Sequence, residues 1–296
     1  MKPPLIVDTH QHLWDLKRLS LPWLDGAPAV LKHSYRPEEY AAATAGLNLR
    51  TVYMEVDVAE ADHAAEADYV VQLCKARSGP MSAAVIGGRP AAPQFVDYVR
   101  RYAATGFVRG VRQVLHNDDI ARGICLAPEF VAGCRTLGEH QLSFDLCMRP
   151  TELADGAKLA SLCPNTRFIV DHCGNADPKA FRKHKGGEKP WHEVDPWKRD
   201  MDRLAALPNV LCKISGIMAR APQGWTADDL APIVNHCLDT FGPQRVVFGG
   251  DWPVCLLGGK LKEWIDALTT IVADRPEADR RGLWSENAVR YYRLTA

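Results

Sequence analysis

The sequence predicts an α/β fold, a single (β/α)8 (TIM) barrel spanning residues 1–296. Three observations carry that prediction. Short β-branched apolar runs recur eight times along the chain. Alanine-rich segments of helical periodicity separate them, the alternation expected of a parallel sheet. No glycine-rich turn follows an early strand, as it would in a doubly wound sheet; Gly87-Gly88 runs directly into Arg89-Pro90. The length is ordinary for one barrel.

In chain order, strands are expected at 6–12, 51–56, 82–86, 110–115, 143–148, 168–172, 210–215 and 246–251. Apolar runs of this length, ending in polar residues, read as strands buried on both faces. Helices are expected at 36–45, 61–76, 93–104, 128–140, 151–161, 197–206, 227–241 and 261–273. Pro37, Pro128 and Pro232 read as first-turn prolines, where the missing N–H costs least. Thr151 and Thr226 read as N-caps. The Lys-, Gly-, Pro- and His-rich stretch 175–196 reads as a long loop after the sixth strand, not a domain boundary.

Acidic and basic side chains balance at 36 each. A nucleic-acid or membrane-surface binder would show a basic excess. The cluster Arg182-Lys183-His184-Lys185 has acids nearby and reads as a solvated loop. No apolar stretch approaches the length of a membrane span, and no signal peptide is expected. The nine cysteines are scattered and form no C-x-x-C; Cys147 and Cys212 sit in apolar runs as small hydrophobes. That usage fits a reduced, cytoplasmic protein. The sequence leaves a homo-oligomer open.

Chemistry in such a barrel sits at the C-terminal strand ends. His10 and His12 end the first strand, His172 the sixth and Asp251 the eighth. Side chains two apart on a strand point the same way, so both imidazoles of the H-x-H can converge on one point. Closure of the barrel would bring the first and last strands together, and Asp251 beside His12. Arg109 and Arg112, three apart on the fourth strand, face opposite sides. Arg112, nearer the strand end, is the candidate for a substrate carbonyl or carboxylate, and Arg109 for a structural pair. Glu55 and Asp145 are candidate hydroxyl binders; the competing reading is a buried pair with a barrel arginine, and Lys213 is a candidate partner. Trp14, Trp23 and Trp252 follow the first and eighth strands and offer faces for a sugar ring, or simply core packing. His116, His184 and His192 lie in loops and could reach the mouth, but read as solvated.

The segments Val7-Asp8-Thr9-His10-Gln11-His12-Leu13-Trp14, Val170-Asp171-His172-Cys173-Gly174 and Phe248-Gly249-Gly250-Asp251-Trp252-Pro253 resemble the amidohydrolase superfamily. The nearest branch is the amidohydrolase 2 group of sugar lactonases and 2-pyrone-4,6-dicarboxylate lactonases. Leu21-Pro22-Trp23-Leu24, Arg109-Gly110-Val111-Arg112, Cys212-Lys213-Ile214-Ser215-Gly216 and Phe241-Gly242-Pro243-Gln244-Arg245 look most like L-fucono-1,5-lactonases and L-rhamnonolactonases. The resemblance implies one divalent metal ion, zinc first, held by His10, His12 and Asp251, with His172 a fourth candidate. Mononuclear members usually add a histidine at the end of the fifth strand, and 143–149 contains none. Three ligands suffice for a catalytic zinc with open positions. Three is also the count at which a site can be weak or empty, so metal-independent catalysis stays open. Cys147 is a conceivable ligand, but a buried strand cysteine is the plainer reading.

The expected activity is hydrolysis of a small-molecule sugar-acid lactone. Asp251 would be the general base on water, His172 a hydrogen-bonding partner of the carbonyl or nucleophile, and Arg112 an oxyanion stabiliser. The competing enzyme reading is a metal-dependent decarboxylase of the same superfamily, needing a tightly held metal and a carboxylate clamp. A catalytically silent barrel used for binding is the third reading, and the intact His10, His12, His172 and Asp251 weigh against it.

Overall fold

Eight parallel strands pair in sequence order, β1 to β8. They run Leu5–Gln11, Asn48–Met54, Met81–Gly87, Val108–Val114, Ser143–Cys147, Arg167–Val170, Val210–Ile214 and Val246–Phe248. The computed structural model describes residues 3–77, 79–182 and 189–294. The basic residues Lys183, His184 and Lys185, expected in a solvated loop, lie outside the described residues.

The ring closes through the segment after β8. Asp251 N–H donates to the His10 carbonyl at 2.8 Å, and His12 N–H donates to the Trp252 carbonyl at 2.8 Å. Asp8 strengthens the seam, accepting from Gly250 N–H at 2.7 Å and from the Tyr40 hydroxyl at 2.9 Å. First and last strands are therefore neighbours, as the barrel expectation requires.

The barrel interior is packed solid, as in other closed barrels of this size. Val7, Val52, Val85, Ile169, Leu211 and Val247 meet along its axis, and Tyr292 and Leu294 of the C-terminal segment pack into the same cluster. A larger apolar layer lies between the strands and the surrounding helices. These helices are Pro37–Ala43, His63–Lys75, Phe95–Ala103, Pro128–Glu139, Leu153–Leu162, Val194–Ala205, Ala227–Phe241 and Leu261–Ile271. Amphipathic periodicity explains their docking: one apolar stripe is buried on the strands.

Several expectations are corrected locally. Pro37 and Pro128 do begin their helices, and Thr226 forms a capping box with Asp229. Pro232 instead lies inside its helix, past the first turn. Thr151 is not a cap; it sits within a 3-10 turn, Pro150–Glu152, and Glu152 holds the N-cap position without a side-chain capping bond. The sixth and eighth strands end early, at Val170 and Phe248. His172 and Asp251 therefore stand beyond the strands, with φ of 52° and 55°.

The chain also ends in elements that the periodicity did not suggest. They are the short helix Glu277–Arg281, a π-turn Gly282–Glu286 and the helix Asn287–Tyr291. Among the described residues, no helix is long and apolar enough to cross a membrane. All nine cysteines are buried and free of disulfides.

Candidate active site

The site forms because β1 breaks its own alternation. Val7 belongs to the barrel interior, so strict period-two geometry would turn His10 outward. The register between β1 and β2 shifts between Asp8 and Gln11. Such an irregularity re-aims the side chains beyond it, and His10 and His12 both face the barrel mouth.

Asp251 is their meeting point. Its Oδ1 lies 3.4 Å from His12 Nε2, 3.7 Å from His10 Nε2 and 3.9 Å from His172 Nε2. The imidazoles of His10 and His172 are 4.3 Å apart between ring centres. Burial alone would raise the Asp251 pKa, but His172, His12 and Arg220 around it outweigh burial and hold it below the ordinary value. The carboxylate thus stays ionised. Burial pushes the pKa values of His10 and His172 well below the ordinary imidazole value.

Backbone groups hold the imidazoles. His12 Nδ1 is 3.0 Å from the Met54 carbonyl, which can only accept. Nδ1 therefore donates to that carbonyl, and Nε2 faces Asp251 at 3.4 Å. The donor atoms of His10, His172 and Asp251 lie within 4.8 Å of one another. This set of imidazole nitrogens and a carboxylate fits one divalent metal ion, with His12 alongside. His172 Nδ1 leans on the Ser215 hydroxyl at 3.0 Å, an outer contact of the kind that orients a ligand ring.

Behind this layer lies a charge network. Asp171 faces His10 Nδ1 at 3.5 Å, Arg112 Nη1 at 3.2 Å and Lys213 Nζ at 2.9 Å. Lys213 also binds Asp145 at 2.7 Å. Burial raises the Asp171 pKa, but Lys213, His10 and Arg112 reverse this and hold it well below the ordinary value. Arg112 binds Glu55 Oε1 at 2.5 Å and the Glu55 carbonyl at 2.8 Å, and its Nη1 reaches His10 Nε2 at 3.3 Å.

The mouth opens into a cavity of about 280 Å3. His12, Trp14, Arg112, His172 and Asp251 line it, and so do Trp23, Cys147 and Arg220. Trp252 does not; it is buried against Tyr35 and Tyr40 and packs the core. Glu55 and Asp145, the expected hydroxyl binders, do not line the cavity either. Both are enclosed and consumed by ion pairs with Arg112 and Lys213, because a buried carboxylate is held in the barrel only by a cation. Cys147 is buried beside His116 at 3.3 Å, and burial pushes its thiol up to about 12. A protonated thiol is a poor metal ligand. Arg109 is half-buried with no side-chain partner at Nε, and His192 accepts from Asp177 N–H.

A family model described as amidohydrolase matches residues 7–294. The chain belongs to the amidohydrolase family. Among curated proteins, this amidohydrolase is 28% identical to an L-fucono-1,5-lactonase of Burkholderia multivorans, over 98% of this chain and 96% of that one. It is 27% identical to an L-fucono-1,5-lactonase of Burkholderia ambifaria, over 97% and 95%. Among solved structures, an amidohydrolase from Burkholderia multivorans with bound zinc superposes with a TM-score of 0.86 at 27% identity, covering 98% of this chain and all of that one.

Reading the amidohydrolase sequence alone leaves three members of the site unassigned. Asp171 stands inside the Val170–Gly174 motif but shows its role only when Arg112, Lys213 and His10 surround it. Ser215 shows its role only through His172. Arg220 carries no motif at all; its place in the lining depends on the path of the loop after β7.

Proposed function

We propose that this amidohydrolase opens a sugar-acid lactone of the L-fuconolactone or L-rhamnonolactone type. One observation carries the reading: a buried carboxylate, Asp251, ringed by three imidazoles at the base of a tryptophan-lined cavity. The two Burkholderia relatives, both L-fucono-1,5-lactonases, support the substrate class.

In the proposed reaction Asp251 takes a proton from water as the water oxygen attacks the ester carbonyl carbon. The carbonyl oxygen becomes an oxyanion. As the tetrahedral adduct collapses, the bond from the carbonyl carbon to the ring oxygen breaks, and that oxygen leaves with a proton returned from Asp251. His172 is positioned to hydrogen-bond the carbonyl or the nucleophile. Arg112 adds positive charge behind His10, reduced by Glu55 and Asp171. Trp23 offers apolar surface to the sugar ring, and the fully buried Trp14 backs it edge-on. His10, His12 and Asp251, with His172, would hold a divalent ion, for which zinc is our choice. When bound, the ion would supply Lewis acidity and a lowered water pKa.

Asp251→Asn keeps the size of the side chain and removes the base and a charged ligand. The variant should fold and lose turnover of the best lactone by at least ~10²-fold. Near wild-type turnover would refute Asp251 as the base. Metal analysis of purified protein followed by chelation tests the ion. Activity should fall on stripping and return with zinc, whereas full activity in stripped protein would make the histidines substrate ligands.

A further inference from the structure

Three cysteines converge from distant parts of the chain. Cys173 stands in the turn after β6, next to His172, Cys212 lies on β7 and Cys237 on the helix Ala227–Phe241. All three are fully buried, in the apolar layer between the strands and the helices. Their Sγ atoms lie within 4.8 Å of one another, and among the described residues no histidine or carboxylate joins the group. No second all-cysteine group forms among the described residues. The thiols of Cys173 and Cys212 reach the same Lys213 carbonyl as donors, at 3.8 and 4.0 Å, which leaves the sulfur lone pairs uncommitted.

A small hydrophobe's role accounts for one buried cysteine. It gives no reason for three sulfurs to face one point. Three sulfurs bound about 2.3 Å from one ion in a plane stand roughly 4.0 Å apart, within the observed span. Structural zinc takes four ligands, and this donor set ends at three. Soft sulfur donors select Cu(I). A lone protonated thiol binds metals poorly, as at Cys147, but a coordinated thiol loses its proton to the incoming ion. Cu(I) would replace one thiol proton, which passes to solvent, while the other two sulfurs give lone pairs. The centre is then uncharged, as a dry apolar layer favours. Cys173 also has a left-handed backbone, like His172 before it. An ion at its sulfur would tie that turn to two regular elements.

We propose that Cys173, Cys212 and Cys237 form a trigonal sulfur site for one Cu(I) ion. It shares no residue with the Asp251 centre, and it clamps the turn that carries His172 to β7 and to the helix Ala227–Phe241.

The test loads zinc-saturated protein with Cu(I) in the absence of oxygen, against a chromophoric copper chelator. A second loading, by expression in copper-supplemented medium, lets the ion enter before the layer closes. Wild type should retain one Cu(I) per chain, and X-ray absorption at the copper edge should show three sulfur neighbours and no nitrogen. C237A and C212A should each weaken retention by more than ~10-fold, the least that losing even an outer partner costs a metal site. C134A, which removes a buried cysteine outside the group, should keep it. Bound Cu(I) should raise the melting temperature of wild type and C134A but not of C237A. Melting curves of the unloaded variants report that they fold; should one fail, the wild-type spectrum alone decides. No stoichiometric copper by either route, copper held through nitrogen, or full retention in C237A and C212A would each overturn the site.

Discussion

Glu66 is a carboxyl enclosed behind the site wall, and its protonation is a property of single atoms. Oε1 accepts from Val56 N–H at 2.8 Å and from the Tyr53 hydroxyl at 2.9 Å. Burial first, then the neighbouring Glu55, push its pKa up to about 8, against the pull of Val56 N–H, Tyr53 and Arg112. The unfolded chain releases this proton near the ordinary value of 4.5. Between those two values the folded chain holds a proton that the unfolded chain has lost, so this group's contribution to stability falls as pH rises. Glu66→Gln keeps the accepting oxygen and cannot ionise. Urea denaturation should show the variant close to wild type near pH 5, and more stable at pH 9 by on the order of 2 kcal/mol. A difference that does not change with pH would show that Glu66 is not the proton holder.

At the scale of elements, the turn after β6 decides where His172 goes. Val170 ends the strand, and His172 to Asn175 all take left-handed backbone conformations. Non-glycine residues there cost on the order of 1–3 kcal/mol each, so the surroundings must hold them. One of those surroundings is Gly216 after β7, at φ +70°. A Cβ at that position would lie 2.1 Å from His172 Nδ1 and 2.5 Å from its Cγ. Gly216→Ala should therefore leave the barrel folded, as judged by circular dichroism, while turnover drops at least ~10-fold because His172 and Ser215 are pushed apart. Unimpaired turnover would show that the observed pose of His172 is not the working one. The irregularity in β1 acts similarly, placing Val7 in the core and His10 at the mouth on one strand.

For the whole molecule, closure is the requirement, and both ends of the chain supply it. The seam between β1 and the residues after β8 brings positions 10 and 251 into direct hydrogen bonding. At the opposite end, Tyr292 and Leu294 cap the interior column of Val7, Val52 and Ile169. Without them that apolar layer would meet water. Tyr292→Ala should destabilise the protein by about 3–5 kcal/mol, the range for a buried aromatic removed from a core. Thermal unfolding measures it, and an unchanged melting temperature would show that the C-terminal plug is dispensable.

The sequence by itself determined the architecture and the centre of the site. Period and alternation are local properties, so the eight strands, the enclosing helices and their order were all legible in residue patterns. The H-x-H and the Gly-Gly-Asp-Trp-Pro segment marked His10, His12 and Asp251, because polar groups ending buried runs have few other reasons to be there. Only the tertiary structure decided which polar residues face the cavity. Glu55 and Asp145 carry the same alternation signal as mouth residues, yet Arg112 and Lys213 reach them first inside the barrel. Trp23 and Trp252 look alike as sequence; one lines the cavity and the other packs on Tyr35 and Tyr40. Arg220 sits in a short 3-10 turn after β7, and its place at the cavity exists only relative to groups far away in the chain. Local patterns encode backbone form and burial, whereas charge compensation is a property of three-dimensional neighbours.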